Sequence, residues 1–172
     1  MKLHNLVSDP SKLKTHKTHI SPEVAYDKII NGDKDPRLVN VVASDPEWAY
    51  EYARNVIKGK FPQGEPVIAK DSWQAYFYAN GIIKGRWPEG EPVIANDPET
   101  AHVYAKNVIK GRWPEAEAVI ATDPRSAYQY ARYVIKGRFP EGEPVISKDL
   151  WSKLLYNTFI NSLNTQPAAG DV

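Results

Sequence analysis

Residues 127–143 read AYQYARYVIKGRFPEGE, and closely similar stretches precede them at intervals of 26 residues. Four consecutive blocks of the sequence align without a gap, and they begin at Ala49, Ala75, Ala101 and Ala127. Self-similarity at a fixed period of this length is typical of repeat proteins, in which each unit packs only against its neighbours. We therefore treat the 26-residue repeat as the unit that decides the fold.

The first half of each repeat has the pattern of a helix. In the first copy the apolar residues follow the helical period and form one stripe: Ala49, Tyr52, Ala53, Val56 and Ile57. Asp45 stands where an N-cap is expected, and Pro46 suits the first helical position because its missing N–H costs nothing there. Gly59 follows the stripe and predicts a left-handed C-terminal cap. The pattern thus predicts a helix from Pro46 to Lys58.

The second half of the repeat has two interpretations. Residues 67–69 are apolar, so they form either a short strand of a parallel ladder or part of a short second helix. A strand would place Pro66 and its counterparts beside the ladder, where proline supplies no donor. As the first residue of a helix the same proline is favourable, and we therefore favour the helix.

The predicted fold class is all-α, a right-handed α-solenoid of long-helix/short-helix repeats with a degenerate N-terminal unit and a capping C-terminal unit. The organisation has these parts: a basic N-terminal arm (1–18), a single helical-repeat domain (19–163) and a flexible tail (164–172). Within the domain we expect a degenerate repeat (19–45), four full repeats (about 46–149) and a cap helix (149–163).

The cap is predicted from a change of polarity in the repeat frame. Lys153, Asn157 and Asn161 replace the small or apolar stripe residues, and we expect that stripe to face the next repeat in every internal copy. Three other residues are expected to pack back against the preceding repeat: Leu155, Phe159 and Leu163.

Composition excludes several function classes. Lys and Arg total 22 against 21 Asp and Glu, which argues against a protein that wraps nucleic acid, and the absence of Cys excludes disulfides, Cys-ligated metals and thiol catalysis. His16 and His19 form an H-x-x-H pair without a convincing third ligand, so we expect solvated histidines and no metal. No catalytic or phosphate-binding motif is present, and we expect a non-enzymatic protein without cofactors. No apolar run is long enough to span a bilayer, so we expect a soluble protein without a signal peptide.

The candidate binding surface lies at the turn that follows each long helix. Basic and aromatic residues recur there, with tyrosines of the long helix nearby, and they form the predicted binding set: Lys84, Arg86, Trp87, Lys110, Arg112, Trp113, Arg138, Tyr76 and Tyr128. Tyr and Trp are enriched in binding interfaces. A structural interpretation competes with this one, because cations complement helix C-termini, acids pair with them, and aromatic side chains cover helix ends.

The string AYxYAxxVIKGR(W/F)PEGE, as it stands at residues 127–143, resembles a short helical repeat that recurs in proteins of tailed bacteriophages and some bacteria. The resemblance extends over about residues 21–152. We associate no established function or site with that repeat. The resemblance implies a phage-encoded chain that acts in the cytoplasm of the host bacterium, where it captures or inhibits a host or defence protein.

Our functional prediction is therefore a helical-repeat module that binds a protein partner through an extended surface. Binding or sequestration of nucleic acid is one alternative, although the balanced charge disfavours it. A structural role in an assembly is the other. The sequence gives no preference for an oligomeric state.

Overall fold

A computed structural model describes residues 20–165, and the secondary structure of this part consists of helices without a strand. The prediction of an all-α protein is thereby confirmed. The short apolar segment at residues 67–68 lies in a helix, so the strand alternative is excluded. The predicted arm at 1–18 and the residues from 166 onward, with His16 and His19, lie outside the described residues.

The chain forms 11 α-helices in the described part, four of which continue directly into a π-helix. The first three are α1 (Pro22–Ile30), α2 (Pro36–Val42) and α3 (Pro46–Glu51), the last continuing as a π-helix over Tyr52–Ile57. The next three are α4 (Glu65–Ile68), α5 (Ser72–Tyr78, then π over Ala79–Ile83) and α6 (Glu91–Ile94). They are followed by α7 (Pro98–Tyr104, then π over Ala105–Ile109), α8 (Pro114–Ile120), α9 (Pro124–Tyr130, then π over Ala131–Ile135), α10 (Glu143–Ile146) and α11 (Leu150–Asn164).

Each long helix begins as the sequence predicts and ends differently. Asp45 caps α3, and its Oδ1 accepts hydrogen bonds from the N–H groups of Glu47 and Trp48. At the other end the left-handed residue is Lys58, with φ of 55°, so the prediction of a left-handed Gly59 is wrong. The reason is the π-helical last turn: the Ala53 carbonyl accepts hydrogen bonds from both Lys58 and Gly59, which places the chain reversal one residue earlier.

The short helices depend on a close approach of the backbone. Gly64 is the N-cap of α4, so Pro66 is the second residue of this helix. The prediction that Pro66 is its first residue is wrong. A Cβ on Gly64 would lie 2.5 Å from the Phe61 ring and 2.9 Å from Ala49 Cβ. In the third repeat Ala116 holds this position, and there the helix begins earlier, at Pro114.

Successive long helices pack against one another from α3 through α5, α7 and α9 to α11. Tyr78, Tyr104 and Tyr130 are fully buried between them. The start of the alanine stripe has a neighbour that was not predicted. The Ala49 Cβ faces Gly64, in the turn of its own repeat, because that turn folds back over the long helix. The first residue of the stripe is therefore covered from within its own repeat.

The last helix, α11, extends one residue beyond the predicted end, to Asn164. It packs back on the array through Ser152 and Tyr156, while Phe159 and Ile160 are partly buried. The prediction that Leu155 and Leu163 pack backward is wrong, since they are 44% and 38% exposed.

At the other end α1 and α2 enclose a small separate cluster of Ala25, Leu38 and Val42.

None of the helices within residues 20–165 has the length and apolarity needed to cross a membrane.

Candidate functional site

The turn after each long helix contains a network of hydrogen bonds. In the second repeat Arg86 donates from Nε and Nη2 to the two carboxylate oxygens of Glu91, each at 2.7 Å. Tyr104, from the next long helix, donates its hydroxyl hydrogen to Glu91 at 2.8 Å and accepts a hydrogen bond from the Trp87 N–H at 2.9 Å. We call this arrangement the turn network. It ties the turn of one repeat to the long helix of the next.

The turn network recurs in the third and fourth repeats, with the equivalent residues Arg112, Glu117, Tyr130 and Trp113, and Arg138, Glu143, Tyr156 and Phe139. The first repeat keeps part of it: Tyr78 donates to Glu65 at 2.7 Å and accepts from the Phe61 N–H at 2.8 Å. Lys60 stands there in place of arginine and forms no ion pair with a described residue.

The network shifts the pKa values of its members in opposite directions. The hydrogen bond from Arg86 lowers the pKa of Glu91, and the Tyr104 hydroxyl adds to this effect. Burial raises the pKa of Tyr104 above its ordinary range. Both shifts favour an ionised carboxylate and a neutral phenol at neutral pH, which is the state that the hydrogen bonds require.

The aromatic residues of the predicted binding set are part of the core. Trp87 is 4% exposed and Trp113 is 2% exposed, so the prediction that they lie on a binding surface is corrected. Tyr76 and Tyr128 are buried as well, and the Tyr76 hydroxyl accepts a hydrogen bond from Asn107 of the next long helix. These four side chains are buried because they are large and apolar, and the Trp87 ring packs on Tyr78 of its own repeat with centroids 4.9 Å apart.

The arginines of the predicted set are half exposed, but their guanidinium groups are held by glutamate. Arg86, Arg112 and Arg138 each form the two-oxygen pair of the turn network. Their charge is offset within the repeat, in agreement with the structural interpretation of this surface. They contribute little field to a partner, since a paired charge is partly neutralised.

The lysines of the set remain exposed. Lys84 and Lys110 end two successive long helices, and with their counterparts they form what we call the lysine ridge: Lys58, Lys84, Lys110 and Lys136. All four have φ between 55° and 59°, which is left-handed backbone. Within residues 20–165 none of the four forms an ion pair.

Cations line one depression of the surface and approach one exposed aromatic ring. Lys84 and Lys110 line one shallow depression of about 200 Å³ together with Asn80 and Asn107. On the third and fourth long helices two cations approach the exposed ring of Tyr133: Lys106 Nζ lies 4.2 Å from the ring centroid, and the Arg132 guanidinium carbon lies 5.3 Å away. Sequence reasoning missed Lys106 and Arg132, although they share one repeat position with Arg54.

A cleft of about 490 Å³ lies between α7 and α9 and contains His102, Glu99 and Arg125. Burial lowers the pKa of His102, which favours a neutral imidazole. Over residues 20–165, no three His, Asp or Glu side chains are grouped so that they would hold a metal ion.

Comparison with known proteins gives no match: the chain matches no protein-family model, no curated protein and no solved structure.

Proposed function

We propose that this chain is a non-enzymatic helical-repeat module, a right-handed α-solenoid, whose lysine ridge binds an acidic surface of a protein partner. The packing of each long helix on the next, and the turn networks that join neighbouring repeats, support a solenoid of 26-residue units. The handedness remains our prediction.

The observation that carries the proposal is the backbone strain at the ridge. A left-handed conformation costs a residue with a Cβ about 1–2 kcal/mol and costs glycine almost nothing. Nevertheless lysine holds this position in all four repeats, directly before a glycine that does not adopt it. Strained backbone of this kind clusters at active sites and ligand-binding positions. We infer that the lysine side chain is required at the surface.

The arrangement suits an extended anionic partner. Packed helices are about 8–10 Å apart, so one ridge lysine follows another at roughly that distance along the array. The helix dipole offsets part of each charge. A partner with several spaced carboxylates would meet one cation in each repeat, which supports recognition by charge complementarity.

The resemblance to a repeat of tailed bacteriophages suggests the setting. On that basis we propose a phage-encoded protein that acts in the bacterial cytoplasm and captures or inhibits a host or defence protein. The partner itself is identified here by its acidic surface alone.

A pull-down from a bacterial lysate tests the role of the ridge. We expect the wild-type chain to retain an acidic protein that the double variant Lys84→Gln/Lys110→Gln does not retain. The matched control is Lys70→Gln/Lys148→Gln, which removes the same charge from exposed lysines outside the ridge. If the ridge variant and the control recover the same proteins in equal amounts, the ridge is not the binding surface.

Nucleic acid is the second candidate partner, and one observation favours it. The acids Glu91, Glu117 and Glu143 are engaged with arginine, so the ridge charges are not neutralised by them. Phosphate binding by lysine weakens steeply with salt. A mobility-shift assay at two salt concentrations distinguishes the candidates: retardation at low salt that the ridge variant abolishes would favour nucleic acid, and no retardation at low salt would exclude it.

A further inference from the structure

The outward side of α11 carries large apolar side chains. Four residues of its first two turns, which we call the C-terminal patch, are exposed by 76%, 70%, 55% and 44%: Leu150, Trp151, Leu154 and Leu155. They lie opposite Ser152 and Tyr156, through which α11 packs on the array. None of residues 20–165 covers the patch. Contiguous exposed apolar surface of this kind marks an interaction site.

The internal repeats show what this side of a long helix contacts. Tyr50 and Tyr76 hold the repeat position that Leu154 holds in α11. Tyr50 stacks on Phe77 of the next long helix with ring centroids 5.9 Å apart, and the Tyr76 hydroxyl accepts a hydrogen bond from Asn107 of the next long helix. Leu154 therefore stands at a position where another helix packs in the internal repeats, whereas the Trp151 position is exposed there, at Glu47, Glu99 and Arg125. The natural occupant of the patch is a helix with an apolar side.

The first helix of a second copy fits the patch poorly. The exposed part of α1 includes Val24, but Glu23, Asp27 and Lys28 are exposed beside it. Packing that helix on the patch would bury charges without partners, which costs several kcal/mol. By contrast, α11 has no charged residue after Lys153 within the described part. Of the first and last helices described, α11 is therefore the better complement of the patch.

We propose that two copies of the chain associate through their C-terminal patches, with α11 packed against α11 about a two-fold axis. A two-fold interface uses the same surface on both copies, as a self-complementary patch requires. The four side chains expose on the order of 500 Å² per copy, so the dimer would bury on the order of 1,000 Å², near the lower limit for a specific interface. The dimer is therefore weak and depends on concentration.

Sedimentation velocity of the full chain, over about 1–300 μM, tests the association. We expect the mass to rise from one copy to two across this range. Trp151→Glu should weaken the dimer at least about tenfold, because a buried tryptophan is a typical hot spot of an interface. The matched control is Val24→Glu, which adds the same charge to an exposed apolar position of α1 and should leave the dimer unchanged. Circular dichroism confirms that both variants are folded.

Cross-linking tests the symmetry. The chain contains no cysteine, so a single introduced thiol reports one position. With a short bismaleimide, Leu154→Cys should form a covalent dimer, and Val24→Cys should not. A two-fold interface brings the two Leu154 positions together, whereas a head-to-tail contact between α11 and α1 does not link chains that carry one thiol at residue 154.

Three results would overturn the proposal. The first is a wild-type chain that stays monomeric over the whole concentration range, which would mean that another part of the chain or a different partner covers the patch. The second is association that Trp151→Glu does not weaken. The third is association that Val24→Glu abolishes, because this result would indicate a head-to-tail contact.

Discussion

Two cations of the same turn, Lys84 and Arg86, are separated by one residue and have opposite surroundings. Arg86 is held by both carboxylate oxygens of Glu91, within a network that reaches the next long helix. Lys84 has left-handed backbone, is exposed, and forms no ion pair within residues 20–165. The same contrast recurs in the third and fourth repeats.

The contrast shows that the charge of a repeat does not locate its binding surface. A cation is available to a partner only when no acidic side chain of the folded chain pairs with it. Arg86 is not available, because the turn brings it to Glu91, five residues further along the chain. The predicted binding set mixed residues of both kinds.

Truncation of the buried aromatic side chain in the turn should have the largest effect. Trp113 is 2% exposed, so Trp113→Ala should lower the free energy of unfolding by about 3–5 kcal/mol, measured by chemical denaturation. Trp151→Ala is the matched control, measured at about 1 μM where the chain is expected to be a monomer, since Trp151 is 70% exposed and its truncation should then have a small effect. Equal losses in the two variants would contradict the assignment of Trp113 to the core.

Removal of one hydroxyl from the turn network should be the next largest effect. Tyr104→Phe leaves the Trp87 N–H without its acceptor in a buried place, and we expect a loss of about 1–3 kcal/mol in the free energy of unfolding. Tyr133→Phe is the control, because Tyr133 is exposed and its hydroxyl makes no hydrogen bond to a described residue. A loss as small as that of the control would mean that the network does not stabilise the array.

Stability should fall at both ends of the pH range. The pKa of Glu91, Glu117 and Glu143 is lowered, mainly by their arginines, so their contribution is complete above the ordinary glutamate pKa and is lost as pH falls through the lowered value. The pKa of Tyr104 and Tyr130 is raised by burial, so stability is complete below about pH 10 and is lost as pH rises further.

Melting temperatures measured between about pH 3 and pH 11 check this expectation. The variant Glu117→Gln is the comparison, since it should show a smaller loss at acid pH than the wild-type chain. The same acid dependence in both would show that the Arg112 pair contributes nothing to it.

Exchange of arginine and lysine at this position of the turn should change the melting temperature slightly, downward when arginine is lost and upward when it is gained. Arg86→Lys removes the two-oxygen pair with Glu91 and should lower the melting temperature by about 1 °C, because the pair is half exposed. Lys60→Arg should raise it by a similar amount, since Glu65 is already in place beside Tyr78. Changes of the same sign in the two variants would contradict the role of the arginine.

Relief of strain on the ridge should stabilise the chain slightly while it weakens binding. Lys84→Gly should raise the free energy of unfolding by about 0.5 kcal/mol, the strain relieved less the added entropy of glycine. Gly85→Ala is the neighbouring control and should be nearly neutral, because a Cβ there meets no atom within 4 Å. If Lys84→Gly is more stable and still binds the partner, the lysine side chain is not required for binding, and the strained backbone is not evidence of a binding role.

Local structure was largely predictable because its signals are local. The 26-residue period, the Asp caps and the apolar stripe gave the number and the starts of the long helices. The ends were not predictable in the same way. Gly59 was expected to be the left-handed residue, but the π-helical turn moves that conformation to Lys58. This shift was not predictable, because no residue type is a specific signal of a π-helix.

The surface was less predictable than the helices. Trp87 and Tyr76 have the composition of a binding site, and their burial follows from which repeat faces cover them. The exposed side of α11 was also not predicted. The spacing of Leu155 and Leu163 places them on one side of a helix, but it does not say whether that side faces the array or the solvent. Periodicity gives the spacing of a stripe, and the neighbouring helix decides which stripe is buried.

The helical class, the repeat length, the capping aspartates and the balance of charge follow directly from the sequence, because each of these depends on residues close together in the chain. Which cations are paired and which are exposed depends instead on the packing of the folded repeats. Tyr104 reaches Glu91 and Trp87 from the next repeat, 13 and 17 residues away. Contacts of this range depend on how the repeats stack, and stacking is set by side-chain packing across the interface, which no single repeat contains.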